Sequence, residues 1–219
     1  MESIQHVRPV KPAAGYLGGK RFLASRLCKL IDREDHDGYA EPFVGMGGIF
    51  LRRSTRPKVE VINDINGEVI NFFRVLQEHY PYFIDLLRFR VASRNEFERL
   101  KGVDPARLTD LQRAARFLYL QRLAFGGKVT GQHFGVDRSQ GARFNIAKLE
   151  PMLADIHERL TGVTLEQLPF VDFNLGEVGV DREVRAQTGS HVVEEVDPDI
   201  AFRFPWYRVR PSRRLKGRA

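Results

Sequence analysis

Apolar residues Phe22, Leu23, Leu27, Leu30 and Ile31 recur at three- and four-residue intervals, which predicts a helix over Lys20 to Ile31 behind a glycine turn. Before it, Pro9 and Pro12 punctuate the entry of the chain. Gly38-Tyr39-Ala40-Glu41-Pro42-Phe43 reads as a strand that runs into Gly45-Met46-Gly47-Gly48, after which Ile49-Phe50-Leu51-Arg52-Arg53 begins a helix. Val59-Glu60-Val61-Ile62-Asn63-Asp64 reads as a second strand, with a helix from Ile65 to Gln77 behind it. The order strand, helix, strand, helix predicts an α/β fold with a parallel sheet and covering helices.

From Pro81 to Phe125 the pattern becomes mainly helical, carried by Phe83, Leu86, Leu87 and Phe89 and then by Ala114, Ala115, Leu118, Leu120 and Leu123. Gly126 to Asn145 differs in kind. Five glycines are mixed there with Lys128, Arg138 and Arg143 and with His133, Phe134 and Phe144, which predicts a long functional loop or loose hairpin. Ile146 to Leu160 returns to helix, and Val163-Thr164-Leu165-Glu166 reads as a short strand leading to Val171-Asp172-Phe173. Beyond Phe173 the periodicity is lost, and Arg203 to Ala219 is an Arg-rich tail without acids.

Composition narrows this picture. A chain of 219 residues with 42% hydrophobic and 29% charged content has the makings of a soluble globular protein with a sizeable core. No apolar run approaches the length of a membrane span, and the N-terminus lacks a secretory apolar core, so a cytoplasmic protein is expected. The single cysteine, Cys28, leaves neither a disulfide nor a cysteine-ligated zinc within the chain and is expected to be a small core residue. A net charge of +7 favours a polyanion, with nucleic acid the natural partner. Seven of the positive charges fall in the last seventeen residues, so charge alone carries this only weakly.

The chemistry-bearing segments are glycine clusters. Pro42-Phe43-Val44-Gly45-Met46-Gly47-Gly48 lies where a strand gives way to a helix, and glycines there let the backbone approach a ligand at the carboxyl edge of a sheet. The segment fits neither the GxGxxG dinucleotide spacing nor a phosphate-binding P-loop, and a purely structural turn explains it equally well. Asp64, at the end of the second strand, is placed to accept hydrogen bonds from both hydroxyls of a ribose; the alternative is an N-cap for the helix that follows. Tyr16-Leu17-Gly18-Gly19-Lys20 offers an aromatic face and an ammonium.

In this order the three segments resemble the DNA adenine-N6 methyltransferases of the Dam type, including phage-borne relatives. That family carries aromatic-x-Gly-Gly-Lys, then Pro-Phe-x-Gly-x-Gly, then Asp-Ile-Asn before a helix. The chain has Tyr16-Leu17-Gly18-Gly19-Lys20, Pro42-Phe43-Val44-Gly45-Met46-Gly47 and Asp64-Ile65-Asn66. The resemblance runs from Pro12 to Phe173. It implies S-adenosylmethionine as methyl donor, no metal, and a cofactor site of Tyr16, Lys20, Phe43, Gly45, Gly47 and Asp64. It also implies double-stranded DNA as partner and a Rossmann-like sheet with a mainly helical inserted DNA-recognition module. Its division of the chain is 1–75 for the cofactor-binding half, 76–150 for the recognition module, 151–173 for the return to the sheet and 174–219 for an atypical basic tail. Lys128, His133, Arg138 and Arg143 are then the candidate DNA contacts. Arg113, Arg116 and Arg122 face either phosphates or solvent, and Phe134 or Phe144 either wedges a duplex that has lost a base or belongs to the core.

Family chemistry also requires Asp-Pro-Pro followed by an aromatic residue, and here the chain departs from the pattern. It offers Val192-Val193-Glu194-Glu195-Val196-Asp197-Pro198-Asp199-Ile200, in which Asp199 replaces the second proline and Ile200 the aromatic ring, so the segment reads as a chance match. No catalytic residue is assigned from the sequence. The shift in texture at Asn174 suggests, as a hypothesis, a truncated or frameshifted gene, and a sheet cut short there would expose an edge able to pair with another chain.

Overall fold

The computed structural model describes residues 4–34, 36–135, 143–170 and 172–173. Its elements in chain order are β1 (Gln5–His6), α1 (Ala24–Ile31), β2 (Gly38–Glu41), a 3-10 turn (Phe50–Arg52), β3 (Thr55–Arg56), β4 (Val59–Asn63), α2 (Gly67–Glu78), α3 (Tyr80–Leu87), α4 (Arg94–Lys101), a 3-10 turn (Pro105–Arg107), α5 (Asp110–Leu123), a 3-10 turn (Phe125–Gly127), α6 (Ile146–Leu160) and β5 (Thr164–Glu166). β2, β4 and β5 form a parallel sheet in the order β2-β4-β5, with Ala40 opposite Val61 and Val61 opposite Thr164. β1 and β3 make a separate antiparallel pair. Among the described residues, β2 has a strand on one side only.

The centre of the sheet goes to β4 because Val61 and Ile62 point to opposite faces and both are fully buried, as a strand covered on both sides requires. α2 starts two residues later than the pattern predicted, at Gly67, because the Asn66 side chain accepts from the Glu68 N–H at 3.1 Å and caps the helix there. α5 carries a capping box between Thr109 and Gln112. The small residues Ala114 and Ala115 let α5 approach α2, and the Phe72 ring of α2 meets Phe83 edge-on at 6.1 Å and Phe117 at 6.0 Å. Leu149, Leu153, Ile156 and Leu160 of α6 join the same apolar core, which therefore runs unbroken from the sheet into the helical middle.

Two predicted helices are shorter than their patterns. α1 begins at Ala24 rather than Lys20, because residues 20–23 complete the glycine turn and leave Phe22 94% exposed. The buried stripe is Ala24 and Cys28, packed on Ile49, so Cys28 is a core residue. The helix expected from Ile49 ends after one 3-10 turn, where Arg53 becomes extended at φ −65°, ψ 140°. No helix among the described residues is long and apolar enough to cross a membrane.

Arg53 is extended because its side chain enters a buried ionic cluster on Glu60 of β4. Arg159 of α6 makes a bidentate pair with Glu60 at 2.6 and 2.7 Å, Arg53 approaches it at 3.4 Å and Arg56 at 3.4 Å. Arg53 also donates to His36 Nε2 at 2.8 Å and stacks 4.0 Å over the Tyr39 ring, while Arg159 lies 4.1 Å over Phe50. One carboxylate thus joins α6, the sheet and the turn before β3. Removing that charge leaves the buried guanidiniums of Arg53 and Arg159 without their carboxylate. Glu60→Gln is expected to lower unfolding free energy by about 3–5 kcal/mol, read as a fall in the urea midpoint; a midpoint within experimental error of the parent would refute the cluster's role.

Candidate cofactor and DNA site

Parallel pairing of β2 with β4 delivers their following segments, Pro42 to Gly48 and Asp64 to Asn66, to the same end of the sheet. There the Asp64 carboxylate is buried, with Oδ2 accepting the Gly45 N–H at 2.8 Å and Oδ1 the Asn66 N–H at 2.9 Å. Val44 N–H donates to Asn63 O at 3.0 Å, and Asn63 Nδ2 donates to Pro42 O at 3.0 Å. The two motifs are therefore stitched to each other. Asp64 is not the N-cap of α2, a role that belongs to Asn66. Each of its oxygens keeps a further acceptor site.

Tyr16 lies directly on this turn. Gly45 has φ +50°, and a Cβ added there would sit 3.1 Å from the Tyr16 ring, so glycine is required on both counts. The Tyr16 hydroxyl accepts from Asn66 Nδ2 at 3.5 Å, and burial, more than the nearby Asp64 charge, raises its pKa. Gly47 closes the turn onto Val44 O and packs against Leu51. Phe43, 40% exposed, stacks on Phe170 with ring centroids 5.2 Å apart.

Lys20 Nζ donates to Phe43 O at 3.2 Å and lies 3.9 Å from Glu41 Oε1. Glu41 closes β2 and is buried; its Oε2 accepts from the Tyr39 hydroxyl at 2.9 Å and from Phe50 N–H at 3.0 Å. An ammonium and a carboxylate thus stand side by side at the glycine turn, a pair complementary to the zwitterionic head of an amino acid. Burial pushes the Glu41 carboxyl up to about 7, against the opposing pull of Lys20 and the Tyr39 bond. Sequence reasoning passed over Glu41, although a carboxylate in the last position of an otherwise apolar strand, directly before Pro42-Phe43, was the available signal.

The basic loop is anchored beside this site. Phe125 N–H donates to His133 O at 2.9 Å and Gly135 N–H to Leu123 O at 2.8 Å, which closes residues 123–135, the described first part of the expected loop or loose hairpin, as a hairpin. Lys128 and His133 are exposed on it, Arg143 is half-buried and Arg138 lies outside the described residues. Phe144 is buried against Tyr119, and Phe134 is half-buried edge-on to Phe97 at 5.6 Å, so both rings serve the core. Among the described phenylalanines of this hairpin the exposed one is Phe125, at its base and 69% accessible, which the sequence pattern does not single out. The α5 arginines face neither solvent nor phosphate alone. Arg113 pairs with Glu68 and Asp110, Arg116 donates to Leu100 O at 2.7 Å, and Arg122 donates to Arg143 O at 2.7 Å and to Ala13 O.

Residues 16–148 match the family of D12 class N6 adenine-specific DNA methyltransferases. The chain belongs to that family. Among relatives of this D12-class chain, the type II methyltransferase M1.LlaDCHI of Lactococcus lactis subsp. cremoris is 32% identical over 124 residues, covering 54% of the chain and 43% of that protein. The DNA N-6-adenine-methyltransferase of Escherichia phage P1 is 31% identical over 131 residues, covering 55% of the chain and 17% of that protein. The chain thus spans less than half the length of either relative, whereas the family match covers residues 16–148. It takes in Tyr16, Lys20, Glu41, Phe43, Gly45, Gly47, Asp64 and Lys128. Asp197 and Pro198 lie outside both the match and the described residues. No group of three or more His, Cys, Asp or Glu among the described residues could hold a metal ion.

Glu41 makes a pH-dependent signature for this site. A carboxyl raised from 4.5 to about 7 favours the folded state fully below about pH 4.5 and loses that contribution as pH rises through about 7. Glu41→Gln is expected to stabilise the ligand-free protein at pH 8 by on the order of 2–3 kcal/mol and to do little at pH 4.5. Thermal or urea unfolding across that range checks it; a gain independent of pH would contradict the assignment.

Proposed function

We propose that this chain binds S-adenosylmethionine and duplex DNA as an adenine-N6 methyltransferase site. The observation that carries the reading is the convergence of Tyr16, Lys20, Glu41, Gly45 and Asp64 on one end of the sheet. These residues fit the methyl donor. The Lys20 ammonium suits its carboxylate, Glu41 Oε1 suits its amino group, the open acceptor sites of Asp64 suit the ribose hydroxyls, and the Phe43–Phe170 pair offers an apolar face to its adenine ring. S-adenosylmethionine supplies an electrophilic methyl group, and the protein's part is to orient it and exclude water.

The target amino group is unreachable inside a duplex, so the adenine must leave the stack. In this reading residues 76–150 form the recognition module and the sheet is the first part of a Rossmann-like one, with further strands or another chain adding at β2. Lys128, His133, Arg138 and Arg143 contact DNA, and the wedge role passes from Phe134 and Phe144 to Phe125 because a wedge must be exposed. Asp199 and Ile200, standing where a proline and an aromatic ring are required, favour a second reading: cofactor and DNA are bound without transfer.

Radiolabelled methyl transfer to mixed-sequence duplex DNA separates the two, since labelled N6-methyladenine supports the first and binding without label the second. Asp64→Asn is expected to weaken S-adenosylmethionine binding about 10- to 100-fold by calorimetry, the cost of a charged hydrogen-bond acceptor. Unchanged affinity in the folded variant would remove the ribose assignment. Phe125→Ala is expected to weaken duplex binding at least about 5-fold with cofactor affinity retained; equal DNA affinity would exclude the wedge.

A further inference from the structure

The cofactor turn and the DNA-facing turn are joined by a single buried side chain. Gln121 of α5 is 1% exposed, and its Nε2 donates to Gly15 O at 2.7 Å and to Gly127 O at 2.7 Å. Its Oε1 accepts from Gln132 Nε2 at 3.4 Å, and Gln132 Nε2 also donates to Lys128 O at 2.9 Å. The two turns touch directly as well. Leu17 N–H donates to Gly127 O at 2.8 Å, and a Cβ on Gly127, which has φ +66°, would lie 2.9 Å from the Gly15 carbonyl carbon.

We infer that Gln121 is a positioning residue that couples cofactor seating on Tyr16 to Lys20 with the DNA-facing turn Phe125 to Lys128. The inference rests on the methyltransferase reading and goes beyond it. Gln121 Nε2 meets each turn through its own bond, the Leu17 N–H to Gly127 O bond needs both turns in place, and the residues around the anchors, Gly18-Gly19 and Gly126-Gly127, are conformationally permissive. A ligand that orders one turn therefore lowers the entropy cost of ordering the other, and the coupling is reciprocal by thermodynamic necessity. Replacing the amide removes the donor that Gly15 O and Gly127 O share and leaves the Leu17 N–H to Gly127 O bond as the direct link, so the coupling falls.

The test is a coupling measurement. Affinity for a labelled mixed-sequence duplex is measured with and without saturating S-adenosylhomocysteine, in the parent, Gln121→Met and Gln132→Met. The parent is expected to bind DNA about 5- to 20-fold tighter with the nucleoside present, a ratio that falls below about 2-fold in Gln121→Met and to an intermediate value in Gln132→Met. A role in stability alone would lower the melting temperature and leave the ratio intact. Should Gln121→Met fail to fold, Gln121→Asn decides, because its shorter amide cannot reach Gly15 O and Gly127 O together. An unchanged ratio in a folded variant overturns the inference, as does a parent that binds both ligands independently. A parent that binds neither overturns the methyltransferase reading and the coupling with it.

Discussion

Two backbone N–H groups from separate segments converge on the Asp64 carboxylate, and the candidate site depends on that convergence. A buried carboxylate is tolerated when its charge is met by donors, and here the donors belong to the two turns of the candidate site. Gly45 is drawn in, which opens the space that the Tyr16 ring covers, and Asn66 is set where it can cap α2 and reach the Tyr16 hydroxyl. One side chain thereby sets the relative placement of the N-terminal glycine turn, the second glycine turn and the helix behind β4.

The opposite end of β4 uses the reverse arrangement. At Glu60 one carboxylate is surrounded by guanidiniums, two of them almost wholly buried, and aromatic faces at Tyr39 and Phe50 receive the excess positive charge. The strand is thus held at both ends by carboxylates and in the middle by Val61 and Ile62. Rigid placement of a sheet edge by a packed and hydrogen-bonded scaffold is what a site needs if it is to hold a donor methyl within attacking distance.

Much of this was legible in the chain. The parallel strands, α2, α6 and the glycine turns followed from alternation and from 3.6-residue spacing, and the segments around Tyr16, Gly45 and Asp64 stood out because their residues cluster in sequence. What escaped was long-range. Nothing in the spacing of Arg53 shows that it turns inward to Glu60 and the Tyr39 ring and thereby stops a helix at Arg52. Phe22 matched a helical stripe yet is exposed, because the glycine turn occupies the residues that would have begun the helix. Phe125, Phe134 and Phe144 are alike to a pattern, and only the fold of the hairpin sends one outward and two inward. Glu41 was hidden by its position next to a motif that drew attention to its glycines.

The arginines of α5 have a consequence for how this protein meets a polyanion. Arg113, Arg116 and Arg122 are counted in the formal charge, yet their donors are directed at Glu68, Asp110 and the chain's own carbonyls. A guanidinium already occupied in this way displaces few counterions from a phosphate backbone. The steepness with which salt weakens DNA binding counts phosphates actually neutralised, at close to one logarithmic unit each. On the proposed reading of the loop as a DNA contact, that steepness follows exposed Lys128 rather than the three α5 arginines, which the formal +7 counts alike.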